Sequence, residues 1–133
     1  MDNRTILNII RRACQEVHSH LEPGFLESVY QKALIVELRL KGLKAEPECG
    51  IDVFYKDVNV GSFRCDILVE DKIIVEIKAI ASTTIAHSAQ LVNYLKTTGL
   101  NDGVLVNFGS PQLFVMHKTR DYKKNLLKSR QLM

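Results

Sequence analysis

From Asn3 to Leu21 the apolar residues Ile6, Ile9, Ile10, Ala13 and Val17 recur at three- and four-residue steps, which is one stripe of an amphipathic helix. Leu21-Glu22-Pro23-Gly24 breaks that pattern, because proline disfavours helical backbone in the residue before it and glycine is a common stop. A second helix is predicted from Phe25 to Lys41, with Leu26, Val29, Tyr30, Ala33 and Leu40 inward and Gly42 as its cap. The period then falls to two. Ile51, Val53 and Tyr55 alternate with polar residues, Lys56-Asp57 reads as a turn, and Val58, Val60 and Phe63 begin an extended run that continues through Val69. After the polar cluster Glu70-Asp71-Lys72 comes Ile73 to Ile80, apolar on both faces except at Glu76 and Lys78, the pattern of a central strand covered on both sides. A third helix fits His87 to Thr98 with Gly99 as cap, and two short strands fit Val104 to Asn107 and Gln112 to His117. The C-terminal stretch from Lys118 to Arg130 has helical spacing, though short isolated helices are marginal.

This order of helices and strands predicts an α/β fold with a mixed central β-sheet flanked by helices. A length of 133 residues leaves room for one domain, spanning 1–133. With 46% hydrophobic and 25% charged residues, the composition excludes disorder and collagen-like repeats. The three cysteines, Cys14, Cys49 and Cys65, have irregular spacing and no metal-binding pattern, so they read as free thiols in a reducing cytosol. The N-terminal stretch lacks the continuous apolar segment of a signal peptide, and no stretch is long enough to span a membrane. A soluble, cytoplasmic protein is therefore expected. The net charge of +3 is too small to name a partner, but six bases and one acid fall between Lys118 and Arg130. That end carries +5 and the remainder −2, a slightly acidic body with a basic end.

Chemistry enters at Glu76 and Lys78, which share one face of a buried strand because side chains two apart point the same way. If Glu70-Asp71-Lys72 is a three-residue hairpin loop, Asp66 stands directly across from Glu76. Two carboxylates at cross-strand distance repel, and two arrangements relieve the cost. One is a divalent cation such as magnesium or manganese, which takes oxygen ligands from one or two carboxylates and keeps water elsewhere. Lys78 would then orient a water or stabilise charge on a phosphate. The other is an ordinary ion-pair cluster in which Lys78 neutralises one acid. Cys65 is expected to point away from Asp66 and so not to act as a nucleophile, whereas Arg64 shares the face of Asp66 and either flanks the site or lies on the surface. His87, Gln90 and Tyr94 fall on one polar helical face, with Leu91 and Leu95 pointing elsewhere. His87 suits a site edge or a helix start, and Tyr94 suits a packing role with a wet hydroxyl.

Four ordered segments resemble a known group. Asp66 to Lys78, DILVEDKIIVEIK, has the shape of the PD-(D/E)XK nuclease superfamily, and Gly24-Phe25-Leu26-Glu27-Ser28-Val29-Tyr30 matches the signature of its GxxExxY protein family. His87 to Leu95 resembles the helix after the active strand in that family, and Asn107-Phe108-Gly109 resembles its NFG segment. The motif-bearing core covers about residues 24–120. Cys65 stands where the superfamily's name has proline. The resemblance implies a restriction-endonuclease-like core and a metal-dependent nuclease that hydrolyses phosphodiester bonds, with DNA favoured over RNA as substrate. It makes Asp66 and Glu76 the principal metal ligands, Glu27 a helix-borne acid at the metal, Lys78 the positioning cation and Gln90 an accessory polar residue. The competing expectation is a module that keeps the fold and binds nucleic acid or protein without turnover, with the basic end carrying affinity. A homodimer is compatible with either, but no residue argues for it.

Overall fold

A computed structural model of the protein describes residues 1–82 and 85–120. Asp2 opens the first helix, α1 (Asn3–His20), by accepting a hydrogen bond from the Thr5 amide at 2.8 Å. Ile6, Ile10, Ala13, Cys14 and Val17 form its buried stripe, as the spacing predicts. The second helix, α2 (Glu27–Leu40), buries Tyr30, Leu34, Ile35 and Leu38. Leu26, Val29 and Leu40, expected inward, are exposed. Apolar side chains ring most of this helix, so its periodicity could not choose a face; packing did. Its C-terminus is a Schellman motif, with Gly42 at φ +86° and the Leu43 amide returning to the Leu38 carbonyl at 3.0 Å.

Five strands make the main sheet: β1 (Ala45–Pro47), β4 (Ile67–Val69), β5 (Ile73–Lys78), β6 (Asp102–Asn107) and β7 (Phe114–Thr119), in the spatial order β1-β4-β5-β6-β7. Only the β5–β6 pairing is parallel, so the sheet is mixed. The crossover between those two strands runs through a one-turn 3-10 helix (Ile85–Ser88) and α3 (Ala89–Thr98), which ends at Gly99 in the left-handed conformation. α1 and α2 pack on one face against Ile73, Val75, Ile77, Val104 and Val106. Leu91, Tyr94 and Leu95 of α3 pack on the other against Ile74 and Leu105. The architecture is the expected single mixed α/β domain flanked by helices. Among the described residues, no helix is long and apolar enough to cross a membrane.

Three expectations change. The extended run from Val58 to Val69 is two strands: β3 (Val58–Arg64) pairs with β2 (Gly50–Tyr55) in a separate hairpin, and the chain changes sheets at Cys65-Asp66. Lys56 and Asp57 do form the hairpin turn, both at positive φ as a two-residue type I′ loop requires. This ribbon is little buried, and Phe54, Tyr55, Val58 and Val60 are 60–63% exposed. β1 has no counterpart in the predicted elements, because three residues ending in proline carry no readable alternation. The last two strands begin at Asp102 and Phe114, each two residues from its predicted start. The expected C-terminal helix lies largely outside the described residues.

Candidate active site

The β4–β5 turn sets the register. Glu70 and Asp71 adopt left-handed backbone, the Lys72 amide donates to the Val69 carbonyl at 3.0 Å, and the Glu70 carboxylate receives the Lys44 amide at 2.7 Å. Val69 then pairs with Ile73, Leu68 with Ile74 and Ile67 with Val75, so one further step brings Asp66 opposite Glu76 as the three-residue loop predicts. The two acids interlock through the backbone. The Asp66 amide donates to Glu76 Oε1 at 3.3 Å, and the Ile77 amide donates to Asp66 Oδ2 at 2.6 Å.

Glu76 is buried, and burial first, then the charge of Asp66, pushes its carboxyl up to about 8; the Asp66 amide and Lys78 pull the other way. Lys78 shares Glu76's face but, among the described residues, forms no ion pair within 4.0 Å with either acid. Among the described residues, no salt bridge meets the charge of the pair. Two hard oxygen donors held this close suit a divalent metal that keeps several waters. No group of three or more histidine, cysteine, aspartate and glutamate side chains gathers for a metal among the described residues, so the converging protein carboxylates are two, Asp66 and Glu76.

Glu27 opens α2 and is exposed. One turn on, Gln31 donates its amide to the Asp66 carbonyl at 2.8 Å, which lays this face of α2 against the acid pair's strand. Gln31 is absent from the sequence-derived set; its only signal there is the four-residue step from Glu27. The turn before α2 is pinned by Tyr30, whose hydroxyl donates to the Glu22 carbonyl at 2.7 Å and accepts from the Phe25 amide at 3.2 Å. The Tyr30 ring stacks on Phe108 at 4.9 Å between centroids. Thus the tyrosine of one motif and the phenylalanine of another form a single buried contact.

The residues flanking Phe108 hold the end of β5. Asn107 Oδ1 accepts from the amides of Ile80 and Gly109 at 3.0 and 2.9 Å, and its Nδ2 donates to the Ile80 carbonyl at 3.0 Å. A side chain at Gly109 would run into the backbone of Ala79 and Ile80. β5 therefore ends at Lys78 rather than continuing to Ile80, and the Phe108 amide closes on the Lys78 carbonyl at 2.9 Å.

On α3, Tyr94 does not face away from Leu91 and Leu95 as the helical face suggested but packs with them in the second core. Its hydroxyl is pushed up by burial, then by Glu76 and Asp66, while a hydrogen bond with Gln90 pulls it down. Tyr94 thus lies within the field of the acid pair, with Gln90 bonded to it. His87 sits in the 3-10 turn ahead of α3, not in the helix. Arg64 is exposed and pairs with Glu48 at 3.8 Å. Cys65 is buried in the core cluster on α3's side of the sheet, not turned away from it. Burial first, then Cys49 and Glu76, push its thiol up to about 12, so it stays neutral and is a poor nucleophile for that reason. A cleft of about 590 Å³ between the β2–β3 ribbon and α3 is lined by Phe63, Gln90, Asn93, Tyr94 and Lys96.

A family model described as the PD-(D/E)XK nuclease superfamily matches residues 4–119. The crystal structure of SSO0001 superposes with a TM-score of 0.55 at 20% identity, covering 75% of this chain and 52% of that one. The chain spans about half the length of that protein, and the likeness is one of fold. No curated protein matches the sequence.

Proposed function

The chain belongs to the PD-(D/E)XK nuclease superfamily, and from that premise we propose that it is a magnesium- or manganese-dependent nuclease acting on DNA, of the GxxExxY group. The observation that carries the reading is the opposition of Asp66 and Glu76 beside Lys78 at the end of β5. Asp66 and Glu76 would hold the metal, and Glu27 would approach from the start of α2. A bound divalent ion would supply Lewis-acid activation of the phosphate and of water.

The chain's own residues do the rest. Gln31 and the Ile77 amide fix Asp66, one through its carbonyl and the other through its carboxylate. Lys78, free of an ion pair with either acid, offers its ammonium to the attacking water or to charge developing on the phosphate. Gln90 contributes an amide at the edge of the cleft, beside Tyr94. The three free cysteines suit a reducing, cytoplasmic setting.

The test combines metal calorimetry with a cleavage assay on DNA in magnesium or manganese. Lys78→Ala is expected to keep metal binding and lose cleavage by about 10²–10³-fold, whereas Asp66→Ala loses both. No cleavage of any nucleic acid by the wild type, together with unchanged metal affinity in Asp66→Ala, would overturn the reading. The exposure of Glu27 and the absence, among the described residues, of a third converging ligand favour one second reading, a nucleic-acid-binding module without turnover. That module would retain DNA without metal and be indifferent to Lys78→Ala.

A further inference from the structure

A second concavity lies between α1 and the sheet, with Asp102 of β6 and His117 of β7 at its polar end. Asp102 pairs in register with Ile73, three residues before Glu76, so the polar mouth of the pocket lies roughly 10 Å along the strands from the acid pair. They also lie on opposite faces, since α1 covers the side away from α3.

Arg4, Asn8 and Arg11 of α1 follow one another at steps of four and three residues, a single helical face along the pocket. Neither guanidinium has an acidic partner within 4.0 Å among the described residues. The acid that lines the pocket is already engaged. Asp102 Oδ1 meets His117 Nε2 at 2.7 Å, and Asp102 Oδ2 accepts from the Asn3 amide at 2.7 Å. Those two bonds tie the start of α1 to the sheet and account for Asp102, Asn3 and His117 structurally. They do not account for the arginines. Below them the floor is apolar, formed by Leu7, Val104 and Val115. The volume, about 450 Å³, exceeds the needs of a bare phosphate and falls within the range of small-molecule sites.

We propose that this pocket binds an organic phosphate, with Arg4 and Arg11 on the phosphate oxygens and the apolar floor beneath the organic part. Guanidinium forks suit phosphate because two parallel N–H donors match two oxygens, and cations without an ion-pair partner have none to break on binding. His117, held through Nε2, has Nδ1 left to offer. The phosphate belongs either to a free mononucleotide or to a nucleic-acid chain, and both present the same group.

The experiment is an NMR titration of the full chain with AMP, with inorganic phosphate and with a short single-stranded oligonucleotide. Saturable shifts at Arg4, Asn8, Arg11 and His117 are expected, weakened roughly tenfold or more in Arg4→Glu/Arg11→Glu. Saturation by AMP identifies a free nucleotide, and saturation by the oligonucleotide alone identifies a chain phosphate. The AMP-induced shifts at these four residues should be the same in Glu76→Gln, whether or not the protein is a nuclease. Arg4→Gln/Arg11→Gln provides the same comparison should charge reversal disturb α1. No saturation by AMP or oligonucleotide at millimolar concentration, binding retained in both double variants, or inorganic phosphate binding as tightly as AMP would overturn the proposal.

Discussion

Glu76 ties stability to pH in an unusual direction for a carboxylate. Its carboxyl rises from an ordinary 4.5 to about 8 in the folded chain, so between those values the folded state binds more protons than the unfolded one. Its contribution is fully present below about 4.5 and is lost as pH rises toward about 8. Urea denaturation at pH 5, 7 and 9 should show stability falling across that interval, and Glu76→Gln should flatten the trend. An unchanged slope in Glu76→Gln would assign the dependence to other groups. The same proximity of Asp66 that raises the proton affinity of Glu76 favours a cation there, so added magnesium should stabilise the protein more at pH 9 than at pH 5.

The entry to α2 shows how far the motif residues act as scaffold. Tyr30 joins Glu22, Phe25 and Phe108, so the tyrosine fixes the segment from which the exposed Glu27 projects. Tyr30→Phe should cost about 1 kcal/mol in denaturation and reduce cleavage by more than the folded fraction accounts for. Activity that merely tracked the folded fraction would confine Tyr30 to stability. The β2–β3 ribbon behaves oppositely. Its strands alternate as if half-buried, yet Val58 and Val60 are at least 60% exposed. Val58→Thr and Val60→Thr should each change stability by no more than about 0.5 kcal/mol, whereas Ile74→Ala, in the second core, should cost about 2–5 kcal/mol. Thermal melts of the three variants would distinguish this from a ribbon packed on the sheet.

Across the whole molecule, charge divides by position more than by total. The acid pair lies on the α3 face of the sheet and the pocket with Arg4 and Arg11 on the α1 face, while the basic stretch follows β7 in sequence. Lys118 is buried, and Arg120 donates to the Gly99 carbonyl at 2.9 Å, so these two bases belong to the fold. Lys123, Lys124 and Lys128 lie outside the described residues. If they contact phosphate, replacing all three with Gln should lower the dependence of log affinity for DNA on log salt by roughly 0.9 per lost contact. Fluorescence anisotropy at several salt concentrations reads that slope, and an unchanged slope would remove the basic end from the binding surface.

The opposition of Asp66 and Glu76 was legible from spacing because a short hairpin loop fixes register and strand side chains repeat every two residues. α1 and the C-terminal cap of α2 were legible for a similar local reason, a clear apolar stripe in one and a glycine at positive φ in the other. Only tertiary structure decided which face of the broadly apolar α2 would be buried, and that the run through Val69 would break at Cys65 to serve two sheets. It alone brought Gln31 to Asp66, Phe108 onto Tyr30 and Asn107 around Ile80. These contacts join positions 27 to 78 residues apart, and local periodicity carries no information about which distant surfaces will meet when the sheet is assembled.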